Sequence, residues 1–457
     1  MIEQIMGLLP TILGFLVALS IVVFVHEMGH FLVGRWNGVK VEAFSLGFGK
    51  ELFGFEDKYG TRWKFCLLPL GGYVKFYGDN DAASTPGEEV KEMTPEQKAV
   101  SFHHKSLGQR FAIVFAGPAA NYIFAALVFA GLFMTSGQPT TPAVIGSVVP
   151  ESMAERAGFQ PGDRFLAVDG REIDNFFDLR RKVSLGDGSP MVFTFERDGA
   201  VQEVTVAPEV KAGTEETGGA QTAQLGVRAA ASTLIGHVVP ESVAEQAGML
   251  EDDRILTVAG QDVTSFEQVL ALVRLDLEQP QAISILVQRG EGVQELRFSV
   301  PGDEYADDNA LAEAIGAFPK TERRVLGPVA ALGAGAHETW KLTLDTVTFI
   351  KQIVVGTRPS SELGGPIRIA YFSGKALELG FVVFITTMAL ISVNLGFINL
   401  LPIPILDGGH LMFYTLEAIR GKPLSERTQE YSFRVGLMLV LGLMVFATWN
   451  DLHFPFM

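Results

Sequence analysis

Apolar and polar positions fall in long blocks along this chain. Four apolar runs, near residues 5–34, 110–134, 377–408 and 431–449, are separated by mixed or polar stretches. Each run is long enough, or nearly so, for the roughly 20-residue helix that a bilayer's hydrocarbon core requires. The pattern predicts a multi-pass α-helical membrane protein with four transmembrane helices. Between the first two runs, Arg62 to Tyr77 is rich in β-formers and interrupted by Pro69, Gly71 and Gly72. That stretch predicts strands joined by a glycine turn, a membrane-proximal β-hairpin or sheet. The amino end carries Glu3 and no basic residue, and no small-x-small cleavage site follows the first run, so a retained span is expected rather than a cleaved signal.

The middle of the chain repeats itself. IGSVVPESMAERAGFQPGDRFLAVDG at 145–170 aligns without gaps on IGHVVPESVAEQAGMLEDDRILTVAG at 235–260, an offset of 90 with 16 of 26 positions identical. Two copies at that spacing predict two similar α+β domains, each reading as strand, short helix, strand and tight turn. The boundaries expected are 1–135 for the first two membrane helices and the hairpin, 136–222 and 223–302 for the repeats, 303–376 for a linker with amphipathic helices, and 377–457 for the last two spans. Residues 79–98 read as a solvated loop and 302–324 as an acidic linker. Residues 337–356 read as an amphipathic stretch that lies on the membrane or packs on the repeats.

Composition adds direction. The net charge is −16, and residues 136–376 hold 21 Lys+Arg and 34 Asp+Glu, so 21 − 34 = −13 sits in the middle. An acidic middle argues against nucleic-acid binding. Residues 35–110 are nearly balanced, with 11 Lys+Arg and 10 acids, which places them and 409–430 in the cytoplasm and the repeats outside. Cys66 is the only cysteine, which excludes an intramolecular disulfide and a thiolate cluster.

The chemistry is concentrated in the first run. FVHEMGHF at 24–31 places His26 and His30 four apart, on one helix face, with Glu27 beside them. This is the H-E-x-x-H arrangement, in which two imidazoles chelate one Zn2+ and the glutamate acts as general base. An ionisable residue at mid-membrane costs about 2.5–3.5 kcal/mol on insertion scales, so three within five positions point to a metal site rather than chance. Catalytic zinc takes a third protein ligand. Asp407 suits that role, since Pro402 and Pro404 free the backbone before it to turn inward; His410 and His337 are alternatives without that setting. Asn394 and Asn399 are lining candidates in the same irregular stretch. In the second run, Asn121 is a polar group at membrane depth that needs a partner and is a candidate for substrate contact. His103 and His104 carry no ligand spacing.

Two resemblances follow from these motifs. The repeat pattern resembles PDZ domains of bacterial proteases, which implies peptide binding by strand addition and capture of peptide C-termini; Leu225-Gly226-Val227, upstream of the second copy, is similar to that family's carboxylate loop. HEMGH, LPLGGYV at 68–74, GPAAN at 117–121 and NLLPIPILDGG at 399–409 together resemble the site-2 protease family of intramembrane zinc metalloproteases. That resemblance implies one Zn2+ on His26, His30 and Asp407, with Glu27 activating water. It further implies substrate contacts at Asn394, Asn399, Pro402 and Pro404, and a Gly71-Gly72 hairpin that helps unfold substrate. The implied function is regulated cleavage of single-span inner-membrane proteins, such as a trimmed anti-sigma factor in an envelope stress response. Digestion of signal-peptide remnants and a non-catalytic PDZ scaffold are the alternatives.

Overall fold

The structure is a computed structural model that describes residues 2–79, 92–211, 222–276, 282–300, 305, 308–320 and 323–453. Most of the loop expected at 79–98 lies outside the described residues. The chain divides into two compact units, one built from Met1–Thr135 and Leu326–Met457, the other from Ser136–Gly213 and Ala220–Val325.

The first unit holds four helices long and apolar enough to cross a membrane, over Thr11–Trp36, Leu107–Thr135, Phe381–Leu400 and Arg427–Leu452. Small residues set the packing of the first two. A side chain at Gly29 would collide with the Ala116 carbonyl, so these helices touch backbone to backbone. Helix Pro328–Val355 carries Ala331, Gly335, Thr339 and Thr343 buried at intervals of four. That stripe packs on the second span, with Gly335 against Ala126 and Ala130, while Thr346 Oγ donates to Asn394 Oδ1 at 3.0 Å on the third span. The 337–356 stretch is therefore a helix docked on two spans.

Strand β1 (Val41–Glu56) and strand β2 (Arg62–Phe76) make the sheet. Both strands bend, so that Leu46 faces Gly72 on one side and Phe65 on the other, and the outer arm of β1 continues to Glu56 opposite Arg62. Gly71, at φ +140, is the bend of β2, and a side chain there would strike Phe48. Trp63 stacks on Phe44, and Phe31 of the first helix meets both rings edge-to-face, which seats the sheet on that helix.

In the second unit each repeat forms a four-stranded sheet with strand pairs at its side. The two copies are built alike: Asp163 takes Arg197 through two bonds of 2.6 Å, and Asp253 takes Arg289 at 2.7 and 2.6 Å. Each bond to the carboxylate holds its guanidinium above the ordinary arginine value. Two expectations are corrected here. Val227–Ala229 pairs with Ile145–Val148 of the first copy, and Gly226 sits on Ser152, so the Leu225-Gly226-Val227 loop belongs to the first repeat. The equivalent of the second repeat is Ile315-Gly316-Ala317, exactly one repeat of 90 later, with Gly316 on Ser242 and Ala317–Pro319 paired to Ile235–Val238. Each repeat is thus closed by a strand C-terminal to it, and the 302–324 segment contains helix Asp308–Ile315 and that closing strand rather than a plain linker.

The last span is the least packed of the four. Its end is tied by Asp451, fully buried, whose carboxylate accepts from Gly365 N at 2.9 Å and from Ile367 N and Arg368 N at 3.1 Å. The Arg368 guanidinium lies 3.3 Å away. Removing one partner of such a buried set leaves a stranded charge and unpaired N–H groups, so Asp451→Ala is expected to lower stability by about 3 kcal/mol. Denaturation of the purified protein in detergent checks this; an unchanged midpoint would contradict it.

Candidate active site

The first helix carries His26 and His30 on its inward face, four residues apart. The third span ends at Leu400, and the chain runs irregularly through Pro402 and Pro404 before helix Asp407–Arg420 begins. Asp407 is the first residue of that helix, and this brings its carboxylate back onto the imidazoles. Asp407 Oδ2 lies 3.2 Å from His26 Nε2 and 3.5 Å from His30 Nε2, and the two Nε2 atoms are 3.3 Å apart. The candidate ligand atoms of all three residues lie within 4.8 Å of one another.

The far nitrogens are held as well. His30 Nδ1 is 2.9 Å from the Ile113 carbonyl, a contact that puts the proton on Nδ1 and leaves Nε2 free as a ligand. His26 Nδ1 meets the Asn121 amide at 3.2 Å, while Asn121 Oδ1 has no hydrogen-bond partner although buried. Amide O and N are assigned from such networks. Turning the Asn121 amide over lets its oxygen accept the His26 Nδ1 proton and satisfies both groups. Asp407 Oδ2 is also buried without a hydrogen bond. Two imidazole lone pairs and a carboxylate oxygen facing one another are repulsive unless a cation sits among them, and this donor set suits Zn2+.

Glu27 lies next to this cluster and lines the same cavity as Val74 of β2. Gly72 is what lets the strand come this close: a Cβ there would sit 2.7 Å from the Ser45 carbonyl and 3.1 Å from Glu27 Cγ. The cluster opens into a cavity of about 570 Å3, lined by His26, Glu27, His30, Asp407, Asn399 and the β2 residues 71–74 and 76.

The remaining candidates divide. Gly71, Gly72 and Asn399 line the cavity, and Asn399 Nδ2 is 3.3 Å from His26 Nε2. Asn121 does not line the cavity; its amide meets His26. Asn394 is exposed, accepts from Thr346 of the Pro328–Val355 helix and does not line the cavity. Pro402 and Pro404 stand outside the lining too, and the Pro404 carbonyl is where Gly436 of the last span packs. His410 and Tyr414, one helical turn apart, line the cavity beyond Asp407. Only the i+3 and i+7 spacing from Asp407 signals them in the sequence. His103, without ligand spacing, bonds to buried Asp79 at 2.9 Å.

Supports of this kind change metal affinity more than fold. Asn121→Ala is expected to weaken zinc binding by roughly 10- to 100-fold. Gly117→Ala is expected to do at least as much, since its Cβ would collide with His30 Nε2. Competition with a chelator, read as zinc retained, checks both; wild-type affinity in both variants would contradict the assignment.

Residues 14–443 match Peptidase family M50. A Rhizobium meliloti protein named for zinc metalloprotease activity is 36% identical over 447 residues, covering 98% of this chain and 97% of its own length. One from Mesorhizobium japonicum with the same kind of name is 37% identical over 446 residues, covering 97% and 99%. The regulator of sigma-E protease RseP of Salmonella typhimurium is 34% identical over 460 residues, covering 98% and 99%. With the motif helix, the converging carboxylate and near-complete coverage in agreement, this chain belongs to Peptidase family M50, the site-2 proteases.

Proposed function

We propose that this protein is an intramembrane zinc endopeptidase that cleaves the membrane-spanning segment of single-span inner-membrane proteins, of the anti-sigma-factor type. The observation that carries the reading is the meeting of His26, His30 and Asp407 beside Glu27, on apolar helices, with a β2 edge that no strand pairs among the described residues. His26, His30 and Asp407 would hold the zinc, and the metal, when bound, polarises a carbonyl and lowers the pKa of water to about 7.

The chain's own groups do the rest. Glu27 takes the proton of the attacking water and returns it to the leaving amine. Asn399, beside His26 Nε2, offers amide protons to the substrate carbonyl as charge develops on it. Asn121 and the Ile113 carbonyl keep both imidazoles in the ligand tautomer.

A helical substrate hides its peptide groups in i to i−4 hydrogen bonds, so hydrolysis requires local unwinding and replacement partners. The edge of β2 along Gly72–Val74 supplies them by strand addition. Leu52, Phe53, Leu67 and Leu68 are more than half exposed on the same sheet, an apolar face suited to lipid. In this reading the sheet and the Asp407 helix stand toward the cytoplasm. The repeats act outside as PDZ domains, with Leu225–Val227 and Ile315–Ala317 as peptide-binding loops, and admit substrates already trimmed.

Glu27→Gln keeps the shape and the hydrogen-bonding reach of the side chain but not its basicity. The variant is expected to retain stoichiometric zinc and to lose cleavage of a single-span test substrate by at least roughly 100-fold. Turnover near the wild-type rate with zinc bound would refute the mechanism. Deleting 136–325 is expected to extend cleavage to untrimmed substrates, read by comparing trimmed and full-length forms; unchanged selectivity would remove the filter role.

A further inference from the structure

The inner arm of β2 runs along the cavity with one side on β1 and the other side open. Tyr77 N donates to Lys40 O, at 2.9 Å, on the β1 side. Peptide groups alternate along a strand, so the odd-numbered residues of this arm face β1, and Gly72, Val74 and Phe76 face outward. Among the described residues no strand pairs with that outward edge. Gly72 and Val74 line the cavity.

Phe76 differs from both. Its outward N–H donates to Asp79 Oδ2 at 2.9 Å, and its carbonyl accepts from Asp79 N at 3.1 Å. Asp79 is buried, and its other oxygen lies 2.9 Å from His103 Nε2. Phe76 itself is locked by stacking on Phe102, with centroids 5.2 Å apart. The Phe76 position of the edge is therefore already paired, from within the chain, by a carboxylate that a second residue holds in place.

We propose that Asp79 is a register stop for the substrate strand. A strand added to this edge pairs at Gly72 and Val74 and finds no free group at Phe76, so its pairing ends there. The substrate residue delivered to Glu27 is then counted from that end. A slip of one residue would turn every side chain to the opposite face, so the register that Asp79 prevents is a slip of two. Asp79 touches the strand and not the substrate, which makes it a positioning residue that sets the scissile bond, with His103 fixing its carboxylate. This inference rests on the strand-addition reading given above.

Two measurements on the full-length zinc-loaded protein test it, with a single-span substrate and product masses read by mass spectrometry. In a proline scan of the substrate, which removes one N–H at a time, wild-type cleavage is expected to fall at alternate positions, and the sensitivity to stop within about two residues on the Phe76 side of the scissile bond. Asp79→Ala is expected to add cleavage two residues from the original bond and to raise KM more than it lowers kcat, with zinc unchanged. Asp79→Asn, whose amide oxygen still accepts from Phe76 N, is expected to keep a single product. Alternating sensitivity that continues past the Phe76 side overturns the stop even if Asp79→Ala does not fold, and so does a zinc-loaded Asp79→Ala that cuts only the original bond. Absence of alternation at every position instead overturns strand addition itself, and the stop with it.

Discussion

Everything at this site depends on close approach between helix backbones in an apolar bundle. The first and second spans touch where Gly29 meets the Ala116 carbonyl and where Gly117 leaves room for the His30 ring. A methyl group at either place would move an imidazole by more than a metal–ligand bond tolerates. Two imidazoles and a carboxylate converge on one point with their ligand atoms within 4.8 Å of one another, and a divalent cation is the group that reconciles them. The backbone contacts of the helices thus determine the chemistry more strictly than the ligand residues do alone.

A second constraint follows from hydrolysis at that depth. Backbone groups released from a substrate helix cannot be left unpaired in hydrocarbon, so a protease there needs a partner surface as well as a nucleophile. Here the sheet edge and Glu27 of the first helix come together along one cavity. The proposed general base and the strand proposed to present substrate are thereby held in one frame. The Gly72 position permits that contact, and the Asp79 and Phe102 contacts around Phe76 keep the strand from sliding along it.

Local patterns were legible from the sequence where a short motif carries its own geometry. The four spans follow from hydropathy, and His26, Glu27 and His30 follow from helical spacing. Asp407 is legible because Pro402 and Pro404 announce a return segment before it. What could not be read were contacts between distant segments. Nothing near Asn121 says that it faces His26 and not the cavity, and nothing around His103 points to Asp79. The Pro328–Val355 helix has an amphipathic look that fits a membrane surface; only its stripe of small and hydroxyl residues reveals that it docks on another helix. The closing strands of the repeats are hidden from sequence for a topological reason. Leu225-Gly226-Val227 precedes the second copy in sequence but completes the first in space, and the matching glycine at 316, 90 positions on, was the clue available.

The central claim is that ligands from the first helix and from the start of the Asp407 helix share one zinc ion inside the bundle. Zinc K-edge X-ray absorption of the purified protein tests it most directly. The account predicts stoichiometric zinc with two imidazole nitrogens and carboxylate oxygen in its first shell, and loss of that oxygen contribution, or of the metal, in Asp407→Ala. A shell lacking imidazole, or an unaltered spectrum in Asp407→Ala at full zinc occupancy, would contradict it.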